Sequence, residues 1–102
     1  MKEILGRKDF ELKVEKEKGI VVVKFYKNDC PPCEMIQSSL ENWEKENENI
    51  KFYGCEFKYR GNWNIAMRYK INAYPTILTF KNGIEVNRNI GTRLDKNSIL
   101  YK

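Results

Sequence analysis

Histidine is absent from the 102 residues, and cysteine occurs only at Cys30, Cys33 and Cys55. These two scarcities leave little room for zinc, which takes three or four Cys, His or carboxylate ligands in a protein site. Long apolar runs are lacking too: nothing approaches the roughly 20 residues that cross a bilayer as a helix. The opening stretch MKEILGRKDFELKVEKEKG offers only Ile4 and Leu5 before charge returns. It does not read as a signal peptide, so a cytoplasmic location with no membrane partner is expected. Acidic residues are scarce in the second part of the chain. Residues 58–102 carry nine basic and two acidic side chains, against ten and twelve over residues 1–57. A basic half can meet an acidic partner or nucleic acid. No Lys/Arg cluster and no RNA-binding aromatic motif accompanies it, so a solvated surface is the expectation, with no nucleic acid.

What is present suits one domain over residues 1–102. Hydrophobic residues make up 41% and charged residues 32%, a globular balance rather than a disordered one. KEIL (2–5) reads as an edge strand. Asp9 is expected to cap a helix from Phe10 to about Lys18, with Gly19 just past its end. GIVVVKFYKN (19–28) is β-branched, aromatic and nearly continuous, the pattern of a buried central strand. From Pro32 to about Asn47, Met35, Ile36, Leu40 and Trp43 fall at helical spacing. IKFYGCEFKY (50–59) reads as a second long strand. GNWNIAMRYKI (61–71) suits a short helix capped by Asn62. YPTILTFKNGIEVNRNI (74–90) reads as a hairpin turning through Asn82-Gly83. Asp95 is expected to cap a last helix through Leu100. The order β-α-β-α-β-α-β-β-α predicts an α/β fold with a parallel portion, crossover helices and a closing antiparallel hairpin.

The stretch KNDCPPCEMI (27–36) carries the chemistry. Its two cysteines flank two prolines where a central strand hands over to a helix. A metal reading lacks ligands, and a structural staple is disfavoured where cellular thiols are kept reduced. A reactive dithiol fits the place. The first turn of a helix has unpaired N–H groups and a positive dipole end, which lower a thiol pKa from about 8.5 toward roughly 7 or below. Proline at that turn costs no hydrogen bond. Pro31 and Pro32 therefore stiffen the turn, while Cys33, one turn on, points back toward Cys30.

VVVKFYKNDCPPC, AYPTILTFKNG and the later Gly91, in that order, resemble the thioredoxin family over nearly the whole chain. The resemblance implies the thioredoxin fold, a central mixed sheet flanked by helices with a cis-proline loop opposite the dithiol. It implies a thiol–disulfide oxidoreductase that reduces protein disulfides, with Cys30 as nucleophile and Cys33 as resolving thiol. No cofactor beyond that redox-active pair is implied. Pro75 would follow a cis peptide bond, the Tyr74 backbone would pair with an extended substrate segment, and Gly91 would leave room for it. The implied partners are disulfide-containing proteins and, for recycling, a thioredoxin-reductase-like enzyme or a low-molecular-weight thiol. A monomer is expected. A disulfide isomerase or oxidase on the same scaffold, or a non-catalytic binding module, are the competing readings.

Several positions depart from the family pattern. Asp29 stands where Trp usually precedes the first cysteine, and a charge there opposes thiolate formation. Lys24 stands where the family usually has a buried Asp. With one inserted residue, Glu56 falls at the position of that Asp's usual Lys partner. A charge-swapped Lys24–Glu56 pair beneath Cys33 is therefore expected. The mid-helix proline is also missing, with Ser38 near its place, so the helix is expected to run straighter. Cys55, Trp43, Trp63, Met35 and Met67 are read as core residues. Tyr26 is read either as core or as substrate surface.

Overall fold

Seven consecutive residues, Ile20–Tyr26, form the strand about which the rest is arranged. Alternate side chains leave an extended chain on opposite faces, and here both faces are covered, with five of the seven residues buried. A computed structural model describes residues 1–102. Its strands are β1 (Lys2–Glu3), β2 (Ile20–Tyr26), β3 (Ile50–Glu56), β4 (Thr76–Lys81) and β5 (Ile84–Ile90). They form one sheet in the order β1-β3-β2-β4-β5. β3 runs parallel to both β1 and β2, whereas β4 is antiparallel to β2 and β5. This is the mixed sheet expected from the element order.

Helices cover both faces: α1 (Arg7–Phe10), α2 (Pro31–Met35), α3 (Gln37–Glu46), α4 (Asn62–Arg68) and α5 (Lys96–Ile99). One face of β2 presents Val21, Val23 and Phe25 to a core that includes Phe10, Val14 and Ile65. The other face presents Val22 to a core containing Ile36, Leu40 and Ile99. Lys24 lies on this second face, one step beyond Val22, and is only 5% exposed.

Local chemistry explains most boundaries. The hairpin turns through Asn82 and Gly83, both at positive φ, 51° and 82°, as a two-residue turn of this kind requires. Asp95 caps α5 by accepting from the Ser98 N–H at 3.3 Å. β5 is the outer edge strand, and a register shift interrupts its pairing with β4 at Thr79/Phe80. Arg88 on β5 pairs with Glu85 at 3.0 Å and also donates to the Tyr69 carbonyl at 2.6 Å.

Four expectations are corrected. The first helix does not begin behind Asp9. It starts at Arg7 after Gly6, and Asp9 reaches backward to accept from the Leu5 N–H at 2.7 Å. It then widens over Glu11–Glu15 into a π turn, closed by Lys16 N–H donating to the Glu11 carbonyl at 2.8 Å. The helix after the dithiol is not continuous or straighter without its proline. It breaks at Ile36 (φ −95°, ψ −5°), where α2 ends and α3 begins. Asn62 is no cap. It is fully buried, and its side chain binds the backbone of Ile4, Gly6 and Glu56. Finally, Met35, Trp63 and Met67 are exposed, at 70%, 46% and 66%. The break at Ile36 turns Ile36 and Leu40 inward and Met35 outward. On α4 the small face of Ile65 and Ala66 packs inward, which leaves Trp63 and Met67 on the opposite side. Trp43 does pack against the core, as expected.

Candidate active site

β2 ends at Tyr26, and the turn that follows carries Asp29 at φ 56°. Asp is one of the few non-glycine residues that visits this left-handed region readily. The turn delivers Cys30 in extended conformation as the residue capping α2, with Pro31 and Pro32 opening the helix. Cys30 and Cys33 form a disulfide with their Cα atoms 5.2 Å apart. The two sulfurs have different surroundings. Cys30 is partly exposed at the rim, and the Cys33 N–H donates to its Sγ at 3.3 Å. Cys33 is buried, at 1% exposure. A backbone N–H aimed at sulfur favours the anionic form of that sulfur.

The Tyr74–Pro75 peptide bond is cis. The Gly91 N–H donates to the Pro75 carbonyl at 2.9 Å, so these two positions are joined directly. Gly91 has φ 89°, and open space lies where a Cβ would project. The Tyr74 ring packs edge-on against Phe57, with centroids 5.8 Å apart. Its hydroxyl is buried without a hydrogen-bond partner, and burial pushes the phenol above its ordinary range. Lys27, from the turn before the dithiol, holds its ammonium over both rings, 4.9 Å from Phe57 and 4.7 Å from Tyr74. This cation–π contact ties the dithiol turn to the loop before Pro75. Nothing in the linear order of the sequence announces it.

Lys24 and Glu56 do not form a pair. In the β2–β3 register Lys24 stands opposite Gly54, and Glu56 stands two residues on, opposite Tyr26. Glu56 Oε2 instead accepts from the Lys58 N–H at 2.9 Å. Lys24 Nζ donates to Gln37 Oε1 at 2.6 Å and lies 4.7 Å from the Tyr26 ring centroid. Burial lowers the Lys24 pKa, and the charges of Glu3, Glu41 and Glu34 oppose that shift. Tyr26 donates its hydroxyl to Glu3 Oε1 at 2.7 Å. Burial, then this bond, pushes the Tyr26 phenol well above its usual range. Glu3 and Gln37 were not among the expected site residues. The one cue in the sequence to such an approach is Gly54, since glycine inside a strand often marks where another group comes close, but it does not name Glu3.

The Cys30–Cys33 disulfide, half at the surface and half buried, thus sits at a strand-to-helix junction with two prolines between its cysteines, and the thioredoxin family profile matches residues 2–101. The chain belongs to the thioredoxin family. It is 34% identical to thioredoxin-1 of Saccharomyces cerevisiae over 83 residues, 81% of this chain and 78% of that one. With the thioredoxin of Rickettsia bellii it shares 32% identity over 93 residues, 91% of this chain and 87% of the relative. The crystal structure of Fasciola hepatica thioredoxin superposes with a TM-score of 0.83 at 28% identity, covering 91% of this chain and 88% of that one. Membership in the thioredoxin family makes the Cys30–Cys33 disulfide the redox group of a thiol–disulfide oxidoreductase. No three Cys, Asp or Glu side chains converge as a metal site. No helix is long and apolar enough to cross a membrane.

Proposed function

We propose that residues 1–102 act as a single, monomeric domain that reduces disulfides of protein substrates in the cytoplasm. Cys30 is the nucleophile. Its thiolate attacks one sulfur of a target disulfide, and the target's other sulfur leaves with the bonding pair and takes up a proton. Cys33 then loses its proton and attacks Cys30 Sγ. The bond between Cys30 and the target breaks, and the target's second thiol is released. Two electrons have passed to the target, and the Cys30–Cys33 disulfide remains. A thioredoxin-reductase-like enzyme or a low-molecular-weight thiol restores the dithiol. The Tyr74 backbone beside Pro75 pairs with an extended segment of the substrate, and the space at Gly91 admits it.

The asymmetry of the two sulfurs carries this reading. Cys30 is at the rim with an N–H donor on its Sγ, and Cys33 is buried behind it. An attacking thiol must reach the target, whereas a resolving thiol only has to reach Cys30. Equilibration in defined thiol–disulfide buffers tests the direction of transfer. A two-electron midpoint near or below about −250 mV supports a reductant, and one near about −180 mV or higher assigns an isomerase or oxidase instead.

A further inference from the structure

Lys27 follows β2 directly, three residues before Cys30, and is exposed. The chain's seven ion pairs do not include it. Its ammonium lies instead against two aromatic rings, 4.9 Å from the Phe57 centroid and 4.7 Å from that of Tyr74. A ring face is the negative part of the aromatic quadrupole, so it attracts a cation without a carboxylate. The backbone builds this arrangement. β2 and β3 run parallel and end together, and the Phe57 N–H donates to the Tyr26 carbonyl at 2.9 Å. That bond sets Phe57 beside the start of the dithiol turn. Tyr74 packs edge-on against Phe57, and the two rings make one platform for the ammonium.

The segment between α4 and β4, which carries Tyr74 and Pro75, has its backbone anchors on the β5 side. Arg88 of β5 donates to the carbonyls of Tyr69 and Lys70, at 2.6 and 3.2 Å. Gly91, just past β5, donates to the Pro75 carbonyl at 2.9 Å. The Tyr74 hydroxyl has no hydrogen-bond partner, so the ring is not fixed by its polar end. Lys27 supplies the contact from the dithiol side. A disulfide carried on an extended chain has to meet the Cys30 sulfur and the Tyr74 backbone at once, and small errors in such placement slow a reaction strongly. A small disulfide needs Cys30 alone.

Resting on the substrate reading above, we propose that Lys27 is a positioning residue for protein substrates: its ammonium, clamped on the Phe57 and Tyr74 rings, fixes the backbone that receives the substrate segment relative to the sulfur that attacks it. Lys27 takes no part in the sulfur exchange itself. It separates two classes of substrate, disulfides borne on a polypeptide, which depend on the clamp, and small disulfides, which do not.

The pre-reduced protein is mixed with insulin, a protein disulfide, and separately with 2,2′-dipyridyl disulfide, a small uncharged one. Second-order rates of thiol loss are compared in about 0.5 M salt, which screens long-range steering. Lys27→Met keeps an aliphatic stem on the rings and removes the charge. It is expected to slow the reaction with insulin about threefold and to leave the reaction with the small disulfide unchanged. Lys27→Arg keeps a cation on the ring faces and is expected to react with insulin as the wild type does. Equal slowing of Lys27→Met on both disulfides would place the effect of the charge on Cys30 and overturn the inference alone. So would a Lys27→Met protein as fast as wild type on insulin, or a Lys27→Arg protein as slow as Lys27→Met. A wild-type protein that reduces the small disulfide but not insulin overturns the substrate reading and the inference with it.

Discussion

Asn62 Oδ1 accepts from the Gly6 N–H at 3.0 Å, a contact between residues 56 positions apart in a fully buried setting. The same side chain donates through Nδ2 to the carbonyls of Ile4, at 3.1 Å, and Glu56, at 2.9 Å. One amide thus satisfies the chain where it leaves β1 and where β3 ends. Asn62→Ala strands a buried N–H and two carbonyls and is expected to cost about 2–4 kcal/mol. Urea unfolding of the oxidised protein measures it.

The unequal roles proposed for the two cysteines have a direct chemical consequence. Cys33→Ser is expected to stall at a mixed disulfide between Cys30 and a protein substrate, visible as a covalent adduct by intact mass that dithiothreitol removes. Cys30→Ser is expected to form no such adduct. Adducts of equal yield through either cysteine would contradict the assignment.

At Gly91 the open space beside Pro75 is the relevant feature. Gly91→Ala puts a methyl into the proposed substrate path and holds a side chain at φ 89°, a strained conformation for it. If about 1 kcal/mol of substrate pairing is lost, KM for a protein disulfide rises about fivefold. Reduction of a small aromatic disulfide, which needs no extended segment, is expected to change little. Equal losses on both would place Gly91 outside the substrate path.

Cys55 gives a pH-dependent prediction. It is 1% exposed, and burial, aided by the charges of Glu3 and Glu56, pushes its thiol up to about 12. The unfolded thiol titrates near about 8.5. Between these values the folded state holds a proton that the unfolded chain has lost. The stability Cys55 contributes is therefore complete below the unfolded value and falls as pH rises toward the folded one. Cys55→Ala in the oxidised protein is expected to unfold earlier at neutral pH, because a cavity replaces sulfur. Its deficit should shrink by roughly 1 kcal/mol per pH unit above about 9. Denaturant midpoints over that range show it, and parallel lines for the two proteins would mean that Cys55 does not titrate differently on folding.

Elements with strong local signals were legible in the sequence. The Val-rich run before the dithiol, the Asn82-Gly83 turn, the Asp95 cap and the Cys30/Cys33 pair each depend on neighbours in the chain, and each lies where the local chemistry put it. The misreadings depended on contacts between distant segments. The Lys24–Glu56 pair failed because strand register is set by packing across the sheet, and a displacement of two residues gave Lys24 a glycine neighbour. Asn62 looked like a cap because it precedes apolar residues at helical spacing. Its partners, Ile4 and Gly6, are remote in sequence. Trp63 and Met67 looked internal because α4 has two apolar faces, and periodicity alone does not say which is covered. Glu3 was hardest to foresee. Its contact with the Tyr26 hydroxyl depends on a strand of two residues meeting a glycine on its neighbour.

The β5 edge of the sheet has a bearing on behaviour at high concentration. An edge strand with free N–H and C=O groups is a template on which another copy can build. β5 is seven residues long, which is ample for such growth. The shift in pairing at Thr79/Phe80 breaks its regular spacing, and Arg88, tied to Glu85 and to the Tyr69 carbonyl, sets charge along it. Both features oppose strand addition. β5 ends at Ile90, next to the Gly91 whose N–H meets the Pro75 carbonyl, so the edge least suited to self-association runs up to the loop beside the dithiol.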